Sequence, residues 1–180
     1  MSSKINVLGI IKGHISTLSD PQGRISFYDI ITFFFFPGVA AFVSILSRYN
    51  LNKDVSSMLV NFGAIFTALL LSVLVLVYDQ ESKLRSESRK EILTEAKILL
   101  LTQLYYNICF SIVSSLWLIF LCLVHSMIDG VVKGVSIGSF AFTVNFALFL
   151  VTPVVVFVVV NLMLTILMVV KRMHAMLTLR

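Results

Sequence analysis

The sequence predicts an all-α integral membrane protein: four transmembrane helices, both termini cytoplasmic, and an N-terminal amphipathic helix at the interface. Three observations predict it. The 180 residues are 58% hydrophobic and only 13% charged, against about 25% charged in an ordinary globular domain, and the mean hydropathy is +1.00. The apolar residues fall into long runs, most of them near the ~20 residues that a bilayer-crossing helix needs. The basic residues stand at the ends of those runs, which is how a net charge of +5 is arranged in a membrane chain.

Residues 1–25 read as a cytosolic or interfacial arm. Ile5, Leu8, Ile11, Ile15 and Leu18 recur at helical spacing with Lys4 and Lys12 among the polar positions, the pattern of a helix lying among headgroups or packed on the protein's own cytosolic surface. Asp20-Pro21-Gln22-Gly23 reads as a turn. Ser26 with Asp29 three residues on resembles a capping box, so a helix starts near Phe27.

The first hairpin covers residues 26–78. Its first span is about 30–46, with a kink at Pro37-Gly38, since proline removes a backbone donor. Arg48 to Asp54 is a short polar loop, and Asp54 or Ser56 is placed to cap the second span, about 57–78. Ala64, Ala68 and Ser72 form a ridge of small residues where another helix could approach closely.

Residues 79–97 are the soluble part of the chain, ten of the nineteen being charged. They read as a charged cytosolic helical segment that continues into the third span. Glu87 and Glu91 lie in register on one helical face, while Arg85, Arg89 and Lys90 supply basic charge. The strip is either a solvated face or a docking surface for a cytosolic protein partner.

The second hairpin covers 98–170, with spans about 98–124 and 140–170 joined by an outer loop from His125 to Ile137. Asn107, Ser111 and Ser115 share one face of the third span. That stripe either joins helices or, in an assembly of subunits, lines a pore. The fourth run is longer than one upright helix needs, and Pro153 supplies a bend. Residues 171–180 form a basic tail. The arm, the central segment and the tail hold eleven Lys and Arg against three (Arg48, Lys53, Lys133) on the other side, which puts both termini in the cytoplasm.

No Asp, Glu, Lys or Arg lies mid-span, which argues against an ion-coupled carrier. His14, His125 and His174 are isolated in sequence, and no carboxylate or cysteine stands at metal-ligand spacing. Cys109 and Cys122, thirteen residues apart on one helix, lie roughly 20 Å apart and cannot bridge each other. No catalytic, cofactor or metal site is predicted, and no nucleic-acid binding.

Two stretches, SDPQGRISFYDIITFFFFP at 19–37 and FGAIFTALLLSVLVLVYDQ at 62–80, resemble small four-span membrane subunits of bacterial phage-defence systems of the Kiwa type. The resemblance implies an oligomeric inner-membrane protein working with a cytosolic partner. The resulting expectation is a non-enzymatic sensor or anchor, in the bilayer as a homo-oligomer. The alternative is a pore-forming effector that depolarises or permeabilises the membrane when triggered.

Overall fold

The computed structural model describes residues 7–18, 27–86, 92–129, 132–137 and 140–178, with the side chains of 85–86, 92–95, 132–144 and 177 outside the description. In order come α1 (Val7–Ser16), α2 (Phe27–Ile30), α3 (Phe36–Leu46), α4 (Lys53–Ser86), α5 (Ile92–Ile128), β1 (Val132–Ile137), β2 (Phe140–Asn145) and α6 (Thr152–Thr178). Four helical stretches are long and apolar enough to cross a membrane: Phe27–Leu46, Lys53–Leu84, Ala96–Ile128 and Ala147–Met176. They pack in the order α4, α5, α6, α3, so that α3 leans on α6 and α1 lies along α5.

Pro37 and Pro153, the two prolines among the described residues, sit just after a π-turn. Ile31–Phe35 is a π-turn between α2 and α3, and Ala147–Val151 is one before α6. Proline has no N–H for the carbonyl four residues back, and its ring crowds that carbonyl. Widening the turn relieves the crowding. The carbonyl that Pro37 cannot serve is that of Phe33, and Asn161 on α6 donates to it from Nδ2 at 2.8 Å. The predicted kink is therefore also a joint between the first and last membrane-length helices. Before Pro153 the Thr152 hydroxyl donates to the Ala147 carbonyl at 2.9 Å.

The N-cap of α4 is Asn52, whose Oδ1 accepts from the Val55 N–H at 2.8 Å, rather than Asp54 or Ser56. Close approach of α4 and α5 occurs at Gly63. A Cβ there would lie 3.0 Å from Ile119 and 3.3 Å from the Ser115 carbonyl. The ridge Ala64, Ala68 and Ser72 instead lies exposed on α4.

Two readings of the outer region change. His125 belongs to α5 and is buried at 2% exposure, not part of a loop. Phe140 to Asn145 is not the start of the last span but a strand paired antiparallel with Val132–Ile137, from Val132 opposite Asn145 to Ile137 opposite Phe140. Phe140–Asn145 alternates apolar and small or polar residues with period two, which suits a pleated ribbon better than a helix. The charged segment is shared between two helices: residues 79–86 end α4, and residues 92–97 begin α5, which runs on into the third span.

The core has two apolar clusters. One, at the hairpin end, includes Leu51, Leu118, Leu121, Val151, Val155 and Leu162. The other, towards the charged segment, includes Leu70, Val77, Leu101, Leu104, Ile108 and Val169. Ser111 and Ser115 of α5 and Thr165 of α6 fall between them in sequence and are fully buried.

Candidate functional site

The polar side chains of the apolar helices converge where α1 meets α5 and α6. On α1, residues three apart project from one side, so His14 and Thr17 face the same neighbour. Both are buried, while Leu8 and Ile15 are exposed at 54% and 37%. His14 and Thr17 thus turn inward with Leu18, while Leu8 and Ile15 face outward beside Lys12 and Ser16. It runs antiparallel to α5 along that helix's apolar stretch, with Thr17 near Asn107 and Val7 sharing a cavity with Trp117.

Asn107 is the centre. Its Oδ1 lies 2.9 Å from Nδ1 of His14 and accepts from the Thr17 hydroxyl at 2.8 Å. That hydroxyl is also 2.7 Å from the His14 carbonyl, a three-centre arrangement at the helix end. With Nδ1 as the donor, neutral His14 carries its proton on that nitrogen. The imidazole stacks on Phe110, centroids 3.9 Å apart and planes parallel, and meets Phe33 edge-on at 6.1 Å. Gly13 lies against the Tyr106 ring so closely that any Cβ would collide with it. Glycine is required there by the close approach.

Arg172 closes the knot from α6. Its Nη2 donates to the Thr17 carbonyl at 2.6 Å and its Nη1 to the Gln103 carbonyl at 3.3 Å. A cation at the C-terminal end of α1 also complements the helix dipole. Burial holds the His14 imidazole below its ordinary value, and the nearby Arg172 charge pushes the same way, against the bond to Asn107.

The predicted stripe Asn107, Ser111 and Ser115 is wholly enclosed by the chain's own helices, each residue at 0% exposure. The Ser115 hydroxyl donates to the Ser111 carbonyl at 2.9 Å. Asn107 Nδ2 and Ser111 Oγ are buried without a partner. Of the predicted docking strip, Glu87, Arg89, Lys90 and Glu91 lie outside the described residues, as does the side chain of Arg85. Near them, Lys83 pairs with Asp79 at 2.7 Å on the exposed end of α4.

The sequence reading treated His14 as isolated and Arg172 as a stop at the interface, and so missed the knot. The available signal was pairwise: His14 and Thr17 three apart on α1, Gln103 and Asn107 four apart on α5. Among the described residues no group of three His, Cys, Asp or Glu is arranged to hold a metal. The knot can hold helices together and exchange hydrogen bonds, and it offers no nucleophile paired with a base. Comparison with family models, curated proteins and solved structures found no match for the chain.

Proposed function

We propose that the protein is a non-enzymatic, multi-pass membrane subunit, a sensor or anchor of a bacterial defence complex, with both termini and residues 79–97 in the cytoplasm. It would oligomerise in the inner membrane and recruit a cytosolic protein through the charged segment and the tail. The observation that carries the choice over a pore is the burial of Asn107, Ser111 and Ser115. Side chains that would line a conduction path in an assembly are enclosed within one chain, where Asn107 Oδ1 joins α5 to the α1 segment. The N-terminal helix is accordingly part of the bundle and not of the docking surface. Placement in a defence complex rests on the resemblance of residues 19–37 and 62–80 alone.

The test is affinity purification of the full chain in mild detergent with mass determination of the complex. A stoichiometric soluble partner, lost when Arg85, Arg89 and Lys90 are all changed to Glu, is the expected result. A homo-oligomer with nothing bound that conducts ions in liposomes would replace this reading by the pore.

A further inference from the structure

At the end of the bundle opposite Arg172, the first turns of α4 and the last turns of α5 enclose a cavity of about 460 Å³. That lies within the roughly 300–1,000 Å³ of small-molecule sites. Its buried lining is apolar, with Leu51 and Cys122, while exposed Lys53 and Asp129 stand at its mouth beside Ser56. His125 also lines it, buried at 2% exposure, with its Nε2 lacking any partner among the described residues. A buried, unpaired ring nitrogen is costly unless something completes it.

We propose that this cavity binds a phosphatidylethanolamine-type lipid, its phosphate taken by Lys53 and its ammonium by Asp129. One cation and one anion at the mouth of one cavity complement the two charges of a zwitterionic headgroup. Ser56 and His125 add hydrogen-bonding capacity around the phosphate. The apolar wall continues from that mouth along α4 and α5, where an acyl chain would run. A phosphatidylglycerol leaves Asp129 facing no cation. A phosphatidylcholine keeps both charges but has no N–H to donate to the carboxylate.

The inference rests on the bilayer reading above, and the test separates the two. The full chain is first floated with liposomes; failure to float with them overturns the membrane reading itself. Protein in detergent is then titrated with phosphatidylethanolamine, phosphatidylglycerol and phosphatidylcholine of identical acyl chains, and bound lipid is counted by native mass spectrometry. Phosphatidylethanolamine is expected to bind about tenfold more tightly than either other lipid, a difference of about 1.4 kcal/mol. Asp129→Asn is expected to abolish that preference, and His125→Phe to weaken retention of the lipid. Asp129 is exposed, so its variant keeps the test open if His125→Phe fails to fold. Equal retention of all three lipids, or a preference that survives Asp129→Asn, overturns the site as ordinary annular lipid. Full competition by soluble phosphoethanolamine overturns the lipid assignment in favour of a soluble headgroup ligand.

Discussion

The two ends of the bundle solve the same problem in opposite ways. At one end, His14, Thr17, Asn107 and Arg172 bring polar groups from three helices into contact and satisfy most of them within the chain. At the other, Lys53, His125 and Asp129 surround a cavity, and the buried nitrogen of His125 is left for something else. The difference teaches which end the fold depends on. Where the hydrogen bonds close on one another, removing one partner orphans another, and an orphaned buried group costs about 1–3 kcal/mol. Where a group is already orphaned, removing it should cost little.

The largest effect is expected from Arg172→Leu. It leaves the carbonyls of Thr17 and Gln103 without their donor, and bonds to charged groups contribute roughly 1.5–3 kcal/mol each. Thermal unfolding in detergent should show about 3 kcal/mol of destabilisation, and protease should reach α1 sooner; an unchanged α1 would mean that Arg172 is a mere interfacial stop. Next comes Gly13→Leu, whose side chain must displace the Tyr106 ring. Overpacking of this kind costs about 1–3 kcal/mol, to be read as a lengthened α1–α5 distance between spin labels. Asn161→Leu orphans the Phe33 carbonyl at about 1–3 kcal/mol, and should loosen α3 from α6 while sparing α1.

A smaller effect distinguishes the ends by pH. A released His14 has its ordinary pKa near 6.5, whereas docked His14 titrates lower because of burial and Arg172. The released state therefore binds more protons, so docking is complete above about pH 6.5 and weakens as pH falls through and below it. His14→Phe should abolish this slope in the spin-label distance. The smallest effect is expected at the other end. His125→Phe replaces a ring with an unpartnered nitrogen by an apolar ring of similar shape, which should leave stability in lipid-free detergent nearly unchanged. A large loss there would show that the cavity end is as tightly closed as the knot.

Several features were legible from residue order because they depend on local composition. The four apolar stretches and the irregularity at Pro37 follow from chain length and a missing donor, while the capping Ser26 lies outside the described residues. The strand Phe140–Asn145 was read as helix because its apolar content hid a period of two. Its pairing with Val132–Ile137 could be judged only with both strands together. The contact point between α4 and α5 was hidden for a related reason. Many small residues fall on α4, and only the packed structure shows that Gly63, not Ala64 or Ala68, meets the neighbouring helix.

The sequence by itself determined the apolar lengths, the concentration of charge in residues 79–97 and the presence of single polar residues within apolar helices. Those are properties of runs and positions along one chain. The tertiary structure alone decided what each lone polar residue meets: His14 with Asn107 across ninety-three positions, and Asn161 with the carbonyl beneath Pro37 across one hundred and twenty-eight. A buried polar group has no stable place without a partner, and neither partner carries a mark in the sequence that names the other.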